Sequence, residues 1–158
     1  MIRKLILAIG LLTLVGCSSK PQNEQSLSAL GLSDGELLKD KWKDLNRFAA
    51  RYPLSAAKSG KAGCATVEYV ITPEYEIRDI VVVNVSDKVF SKSSKSVISN
   101  WKWSDLPKGL IASAVKTRTR FDFCVESKGA SCAEVIKSFS CEGVDSISSL
   151  GTIVRRRG

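Results

Sequence analysis

From Cys64 onward the apolar residues fall at every second position, and this change of period constrains the fold more than any other feature. Ala65, Val67, Tyr69 and Ile71 alternate with Thr66, Glu68 and Val70, the pattern of a strand with one buried face. Thr72-Pro73-Glu74-Tyr75 provides a turn, and residues 77–85 are a second run dense in branched side chains. The two runs therefore predict an antiparallel hairpin. Phe90, Ser94, Val97 and Trp101 then share one stripe of a helix. The serines between them are mediocre helix formers, so packing rather than propensity has to hold it. Trp103 and Pro107 close this helix, and residues 115–125 alternate again. Phe121, Phe123 and Val125 take one face of that last run, Asp122 and Cys124 the other. The order strand, strand, helix, strand predicts an α+β layer, one helix on a three-stranded antiparallel or mixed sheet.

Upstream, Ser33-Asp34-Gly35-Glu36 has the form of a capping box, and Leu38, Trp42, Leu45 and Ala49 follow at helical spacing. An amphipathic helix is expected over residues 34–51, ending at Tyr52-Pro53 because proline disfavours helix in its predecessor. Trp42 is then either a core side chain or an anchor for a partner. Residues 17–33 are rich in Ser, Gln and Asn, a composition suited to a flexible tether.

The first residues read as an export signal. Arg3 and Lys4 precede an apolar run over residues 5–15, and Leu14-Val15-Gly16-Cys17 has the form of a lipobox. The run is shorter than the roughly 20 residues that a spanning helix needs. Residues 1–16 are expected to be removed as a signal peptide and Cys17 to be acylated, palmitate included. Ser18 and Ser19 in place of aspartate direct such a lipoprotein to the outer membrane, facing the periplasm. A triacylated cysteine is a firm membrane anchor, each buried CH₂ contributing about 0.8 kcal/mol.

Cysteine usage agrees with export. Beyond Cys17 there remain Cys64, Cys124, Cys132 and Cys141, an even set that predicts two disulfides in an oxidising compartment. The chain has no histidine, which removes Ser-His and Cys-His catalysis and every His-containing zinc site. The cysteines lack paired CxxC spacing, so no metal is expected. Glu68, Glu74, Glu76 and Asp79 gather only around the hairpin, and no nucleophile–base pair or glycine-rich phosphate loop is present. Neither an enzyme nor a cofactor is expected. The formal charge is +8; in an exported protein this suits anionic headgroups, cell-wall polymer or acidic proteins rather than nucleic acid. Arg155-Arg156-Arg157 form a basic tail to the extension over residues 127–158.

Tyr52-Pro53, Ala57, Gly60 and Gly63 lead into the first strand. With Ile77, Ile80, Val82 and Ser86 in the second strand, Phe90, Val97 and Trp101-Lys102-Trp103 in the helix and Arg120-Phe121-Asp122-Phe123 in the last strand, residues 52–126 resemble the TonB C-terminal domain family. The family's Asp-Gly hairpin turn is replaced by Pro73-Glu74-Tyr75-Glu76. TonB's motor-coupled transmembrane helix and proline-rich spacer have no counterpart here, since the chain has only four prolines. The resemblance therefore implies the fold and the binding mode, not energy transduction. In that mode the partner's extended segment adds to the free margin of the last strand, here residues 116–124. Lys116, Arg118, Arg120 and Asp122 would line it, the basic residues selecting an acidic segment. The implied partner is an envelope protein, such as a TonB-dependent receptor or a component of the TonB system, with modulation of TonB-dependent transport as the implied role. A homodimer by strand exchange is compatible with the family. The alternative is a basic structural lipoprotein associated with the cell wall.

The same topology brings Cys64, opening the first strand, and Cys124, closing the last, to one end of the sheet on the face away from the helix. A Cys64–Cys124 disulfide is expected, with Cys132–Cys141 closing a short helical loop in the extension.

Overall fold

The computed structural model describes residue 27 and residues 29–125 and 131–152. The expected signal peptide, Cys17, most of the expected tether and Arg155–Arg157 lie outside the described residues.

Three strands form where the alternation places them: β1 Gly63–Ile71, β2 Ile77–Val85 and β3 Val115–Val125. The hairpin β1–β2 is antiparallel, with register shifts between Thr66 and Val67 and between Glu68 and Val70. β3 returns antiparallel on the other side of β1, setting Gly63 opposite Phe123 and Ile71 opposite Val115. A fourth strand, β4 Ser146–Gly151, extends the sheet to the order β2-β1-β3-β4. The expected three-stranded sheet is thus one strand too small, because the C-terminal extension contributes to it.

The helix stripe is also in place. A 3-10 turn, Lys88–Phe90, leads into the α-helix Ser91–Asn100, which packs on β1 and β2. Ala65, Val67, Tyr69 and Ile71 meet Phe90, Val97, Ile98 and Trp101 in one core, with Phe121 and Phe123 from β3. Burying such apolar side chains contributes about 1.5–3 kcal/mol each. The stripe's one polar member, Ser94, is satisfied by donating to the Phe90 carbonyl at 3.0 Å. Both tryptophans at the helix end are buried with their indole N–H groups occupied, Trp101 on the Phe48 carbonyl at 2.9 Å and Trp103 on that of Ile98 at 2.7 Å.

The lead-in to β1 is shaped by close approach. Tyr52 sets its ring edge-on to Phe90 and Phe123, with centroids 6.2 and 5.7 Å away, and its hydroxyl donates to the Lys61 carbonyl. A short helix, Leu54–Ser59, follows Pro53 and ends at Gly60 in the left-handed region. At Gly63 a Cβ would stand 2.2 Å from Ser86 Oγ and 2.6 Å from the Phe90 ring, so only glycine enters the strand there. We label this helix α1, Ser91–Asn100 α2, and Cys132–Lys137 α3.

The β1–β2 turn solves the loss of Asp-Gly in its own way. Tyr75 itself takes the left-handed conformation, φ 64°, which a bulky residue adopts only when held there. Its hydroxyl donates to the Pro107 carbonyl at 2.5 Å and accepts from the Leu110 N–H at 3.0 Å. Its ring packs edge-on against Trp42, 6.2 Å between centroids.

The amphipathic helix expected over residues 34–51 is absent. Two 3-10 turns, Glu36–Leu38 and Asp40–Trp42, are separated by Lys39 at φ −72°, ψ 145°, an extended conformation that no helix passes through. Trp42 and Leu45 are buried as the stripe implied, but Leu37 is buried in place of Leu38. Glu36 is the reason. Its buried carboxylate accepts from the Trp42 indole N–H at 3.1 Å, from Ser33 Oγ at 2.9 Å and from Lys39 at 2.5 Å, and pairs with Lys41 at 2.7 Å. The residues of the supposed capping box thus build a buried polar knot, and Trp42 is a core side chain rather than an exposed anchor.

Candidate functional site

The margin of β3 is the place where the sequence put a docking edge, and the protein's own chain fills it. Along its C-terminal half β4 pairs in parallel, from Arg120 opposite Ser146 to Val125 opposite Gly151. Along its N-terminal end Leu32 bridges Lys116 in parallel. There the Ser33 N–H donates to the Lys116 carbonyl at 2.8 Å, and Thr117 Oγ1 donates to the Ser33 carbonyl at 2.8 Å. Between these two stretches the Arg120 N–H donates to the Asp145 carbonyl at 2.8 Å. The expectation that residues 116–124 present a free edge is therefore corrected: β4 occupies the margin from Arg120 onward and Leu32–Ser33 occupy it at Lys116, leaving no continuous run for a guest strand.

The side chains assigned to that edge are occupied as well. Lys116 pairs with Glu68 at 2.9 Å. Arg118 forks onto Asp34 at 3.0 and 2.6 Å and reaches Glu142 at 3.0 Å; its hydrogen bonds hold the Asp34 carboxyl below the usual carboxylate range. Arg120 donates to Asp122 at 2.7 Å and to the carbonyls of Cys141 and Ile136 at 3.0 and 3.2 Å. Asp122 is buried, which pushes its carboxyl up against the opposing pull of Arg120. Arg118 and Arg120 thus tie the extension to the sheet, Asp122 braces Arg120, and Lys116 pairs across to β1; their charges are engaged within the chain.

Two disulfides fix the extension, with partners other than those expected. They join Cys64 to Cys141 and Cys124 to Cys132, with Cα atoms 5.9 and 5.6 Å apart. The register explains the correction. Asp122, not Cys124, lies opposite Cys64, and a diagonal neighbour across two strands is typically about 7–8 Å away, beyond the reach of a disulfide. Each strand cysteine instead turns to the segment that crosses the back of the sheet. That segment starts with α3, capped by the reciprocal bonds of Ser131 and Glu134. It continues past Cys141, where Thr66 Oγ1 donates to the Glu142 carbonyl at 2.5 Å, and rounds the β3 margin into β4.

Asp145 secures the rounding point. It is 1 % exposed and accepts from Arg47 at 2.8 and 2.7 Å and from Thr119 Oγ1 at 2.7 Å. Thr119 Oγ1 also lies 2.9 Å from the buried Tyr69 hydroxyl, and the Arg47 guanidinium sits over the Trp101 ring, 5.6 Å from its centroid. Ser149 Oγ in β4 donates to the Ala50 carbonyl at 2.7 Å. The chain before β1 and the chain after β3 thus hold each other. No single local pattern announces this knot, because its members lie far apart in sequence; the one signal was a buried-strand threonine pair, Thr117 and Thr119, facing the core.

Among the described residues no cluster of His, Cys, Asp or Glu is placed to hold a metal ion, and no helix is long and apolar enough to cross a membrane. Of the hairpin carboxylates, Glu68 serves Lys116 and Glu76 binds Arg78.

Residues 49–125 match the family model described as Gram-negative bacterial TonB protein C-terminal. This segment is a TonB C-terminal domain. Its family comprises non-enzymatic protein-interaction domains of the periplasmic side of the envelope, which agrees with the pair of disulfides. No curated protein and no solved structure gives a match. The TonB C-terminal segment takes in Tyr52, Gly63, β1, β2, α2 and β3 but stops before Cys132, Cys141, Asp145 and β4. What covers the β3 margin is thus the part of the chain that the family description leaves out.

Proposed function

We propose that this protein is an outer-membrane-anchored lipoprotein whose TonB C-terminal domain binds another envelope protein from the periplasmic side. The family's place in the envelope, the lipobox ending at Cys17 and the two disulfides support this reading. The observation that carries it is the match of residues 49–125 to the TonB C-terminal family, and the β3 margin closed by Leu32 and β4 directs the partner elsewhere. A TonB C-terminal domain in this state keeps its fold while its usual docking strand is paired within the chain. The protein is accordingly a tethered interaction module rather than an energy transducer, and its partner meets a different surface.

Metabolic labelling with tritiated palmitate tests the anchor. Label is expected on the wild-type chain in the outer-membrane fraction, and Cys17→Ala is expected to leave it unlabelled and confined to the signal-bearing precursor. A soluble, unlabelled wild-type protein would overturn the reading.

A further inference from the structure

With one margin of β3 sealed, the sheet keeps another margin open. β2 is the outer strand of the order β2-β1-β3-β4, and no described segment pairs with its far side. Strand margins that have to stay unpaired are usually guarded by lysine, proline or inward-pointing charge. Residues 80–83 of β2 read Ile-Val-Val-Val instead, with Val81 and Val83 exposed to 53 % and 47 %.

α2 runs beside this margin and makes it one wall of a groove. A shallow stretch of about 530 Å³ lies between Ile80 and the helix residues Lys92, Lys95, Ser96 and Ser99. Ser99 also lines a neighbouring cleft of about 680 Å³, walled by Tyr75, Ile77, Trp101, Trp103 and Leu106. The small serines of α2, poor helix formers, leave room for a chain to lie against the helix. Lys92 and Lys95 stand at one side of the groove and Lys108 at its aromatic end, and none of them is in an ion pair among the described residues. A single acid, Glu74, lines it.

We propose that the groove between β2 and α2 docks an extended acidic segment of another envelope protein, which adds as a fifth strand along residues 80–85 and seats an apolar side chain in the cleft of Tyr75 and Trp103. Main-chain pairing on an exposed strand supplies affinity in such a mode, and the flanking pockets supply specificity. The lysines select the charge: Lys92, Lys95 and Lys108 attract an acidic segment and disfavour a basic one. The proposal rests on the envelope-interaction reading above and names its surface.

The test uses the full-length protein with both disulfides intact and a decapeptide of alternating aspartate and threonine carrying one phenylalanine. Amide chemical shifts are expected to move along β2 and α2 and to stay fixed along β3 and β4. Reversing charge with Lys92→Glu and Lys95→Glu, both on the exposed helix face, is expected to weaken this peptide by about tenfold or more and to favour its lysine counterpart. N-methylation of alternate peptide amides is expected to abolish binding. Shifts confined to β3 and β4, or affinity unmoved by the charge reversal, would overturn the proposal. A photo-crosslinker at Val83 or at Leu150 in intact cells separates this outcome from the wider reading. An adduct at Val83 with another envelope protein, lost on charge reversal, supports the groove. Adducts at Leu150 alone, or at Val83 only with a second copy of this chain, refute the groove; the former leaves the envelope interaction standing. Absence of any adduct at either position refutes both.

Discussion

Arg47 meets Asp145 through two hydrogen bonds of 2.8 and 2.7 Å, joining the segment before β1 to the residue that opens the turn into β4. Removing one partner of a buried ion pair leaves an uncompensated charge and costs about 3–5 kcal/mol. Arg47→Ala is therefore expected to lower the unfolding free energy by about 3–5 kcal/mol, and the denaturant midpoint with it, without changing the disulfide pattern. Arg47→Lys recovers only part of the loss, because a lysine reaches Asp145 with one point charge and does not stack on Trp101. Urea unfolding of the oxidised variants checks both expectations.

The covalent ties make a second expectation. Peptide mapping of the native protein should recover Cys64 joined to Cys141 and Cys124 joined to Cys132. Replacing both members of the first pair, Cys64→Ala with Cys141→Ala, is expected to cost about 2–4 kcal/mol. Its local signature is faster hydrogen exchange at the Arg120 amide, which donates to Asp145 only while the extension stays in place.

Acid sensitivity follows from Glu36. Burial alone would push its carboxyl up, but hydrogen bonds from Lys39, Lys41, Trp42 and Ser33 outweigh burial and hold it at about 2, against an ordinary 4.5. A carboxyl depressed in the folded state stabilises above its unfolded value and loses that contribution as pH falls through the folded one. Stability is thus expected to drop between about pH 4.5 and 2. Glu36→Gln is expected to flatten that part of the profile while lowering stability at neutral pH. The Trp42 indole N–H resonance, whose proton is donated to Glu36, followed by NMR through acid titration reports the step at the residue concerned.

How much of this was legible in the sequence differs by element. β1, β2 and β3 could be read because each carries its own two-residue period, and the stripe Phe90, Ser94, Val97, Trp101 carries its own helical one. Membership of the TonB C-terminal family could be read for the same reason, since it rests on those elements in order. The N-terminal helix misled because helical spacing at Leu38, Trp42 and Leu45 coincided with a buried carboxylate that bends the backbone around itself. β4 was invisible: Ser-Ile-Ser-Ser-Leu-Gly has little apolar alternation, Leu150 is exposed, and the strand exists through parallel pairing to β3. The disulfide partners depend on register, which decides between Asp122 and Cys124 by a shift of two residues and is not written in either strand alone.

A fragment trimmed to residues 49–125 would lack Asp34, Arg47, Asp145, β4 and both cysteines that answer Cys64 and Cys124. It would carry a bare ribbon and a pair of free thiols that the whole molecule never offers. Whatever such a truncated piece captured would describe the scissors' work, so interaction surveys on this protein require both ends of the polypeptide.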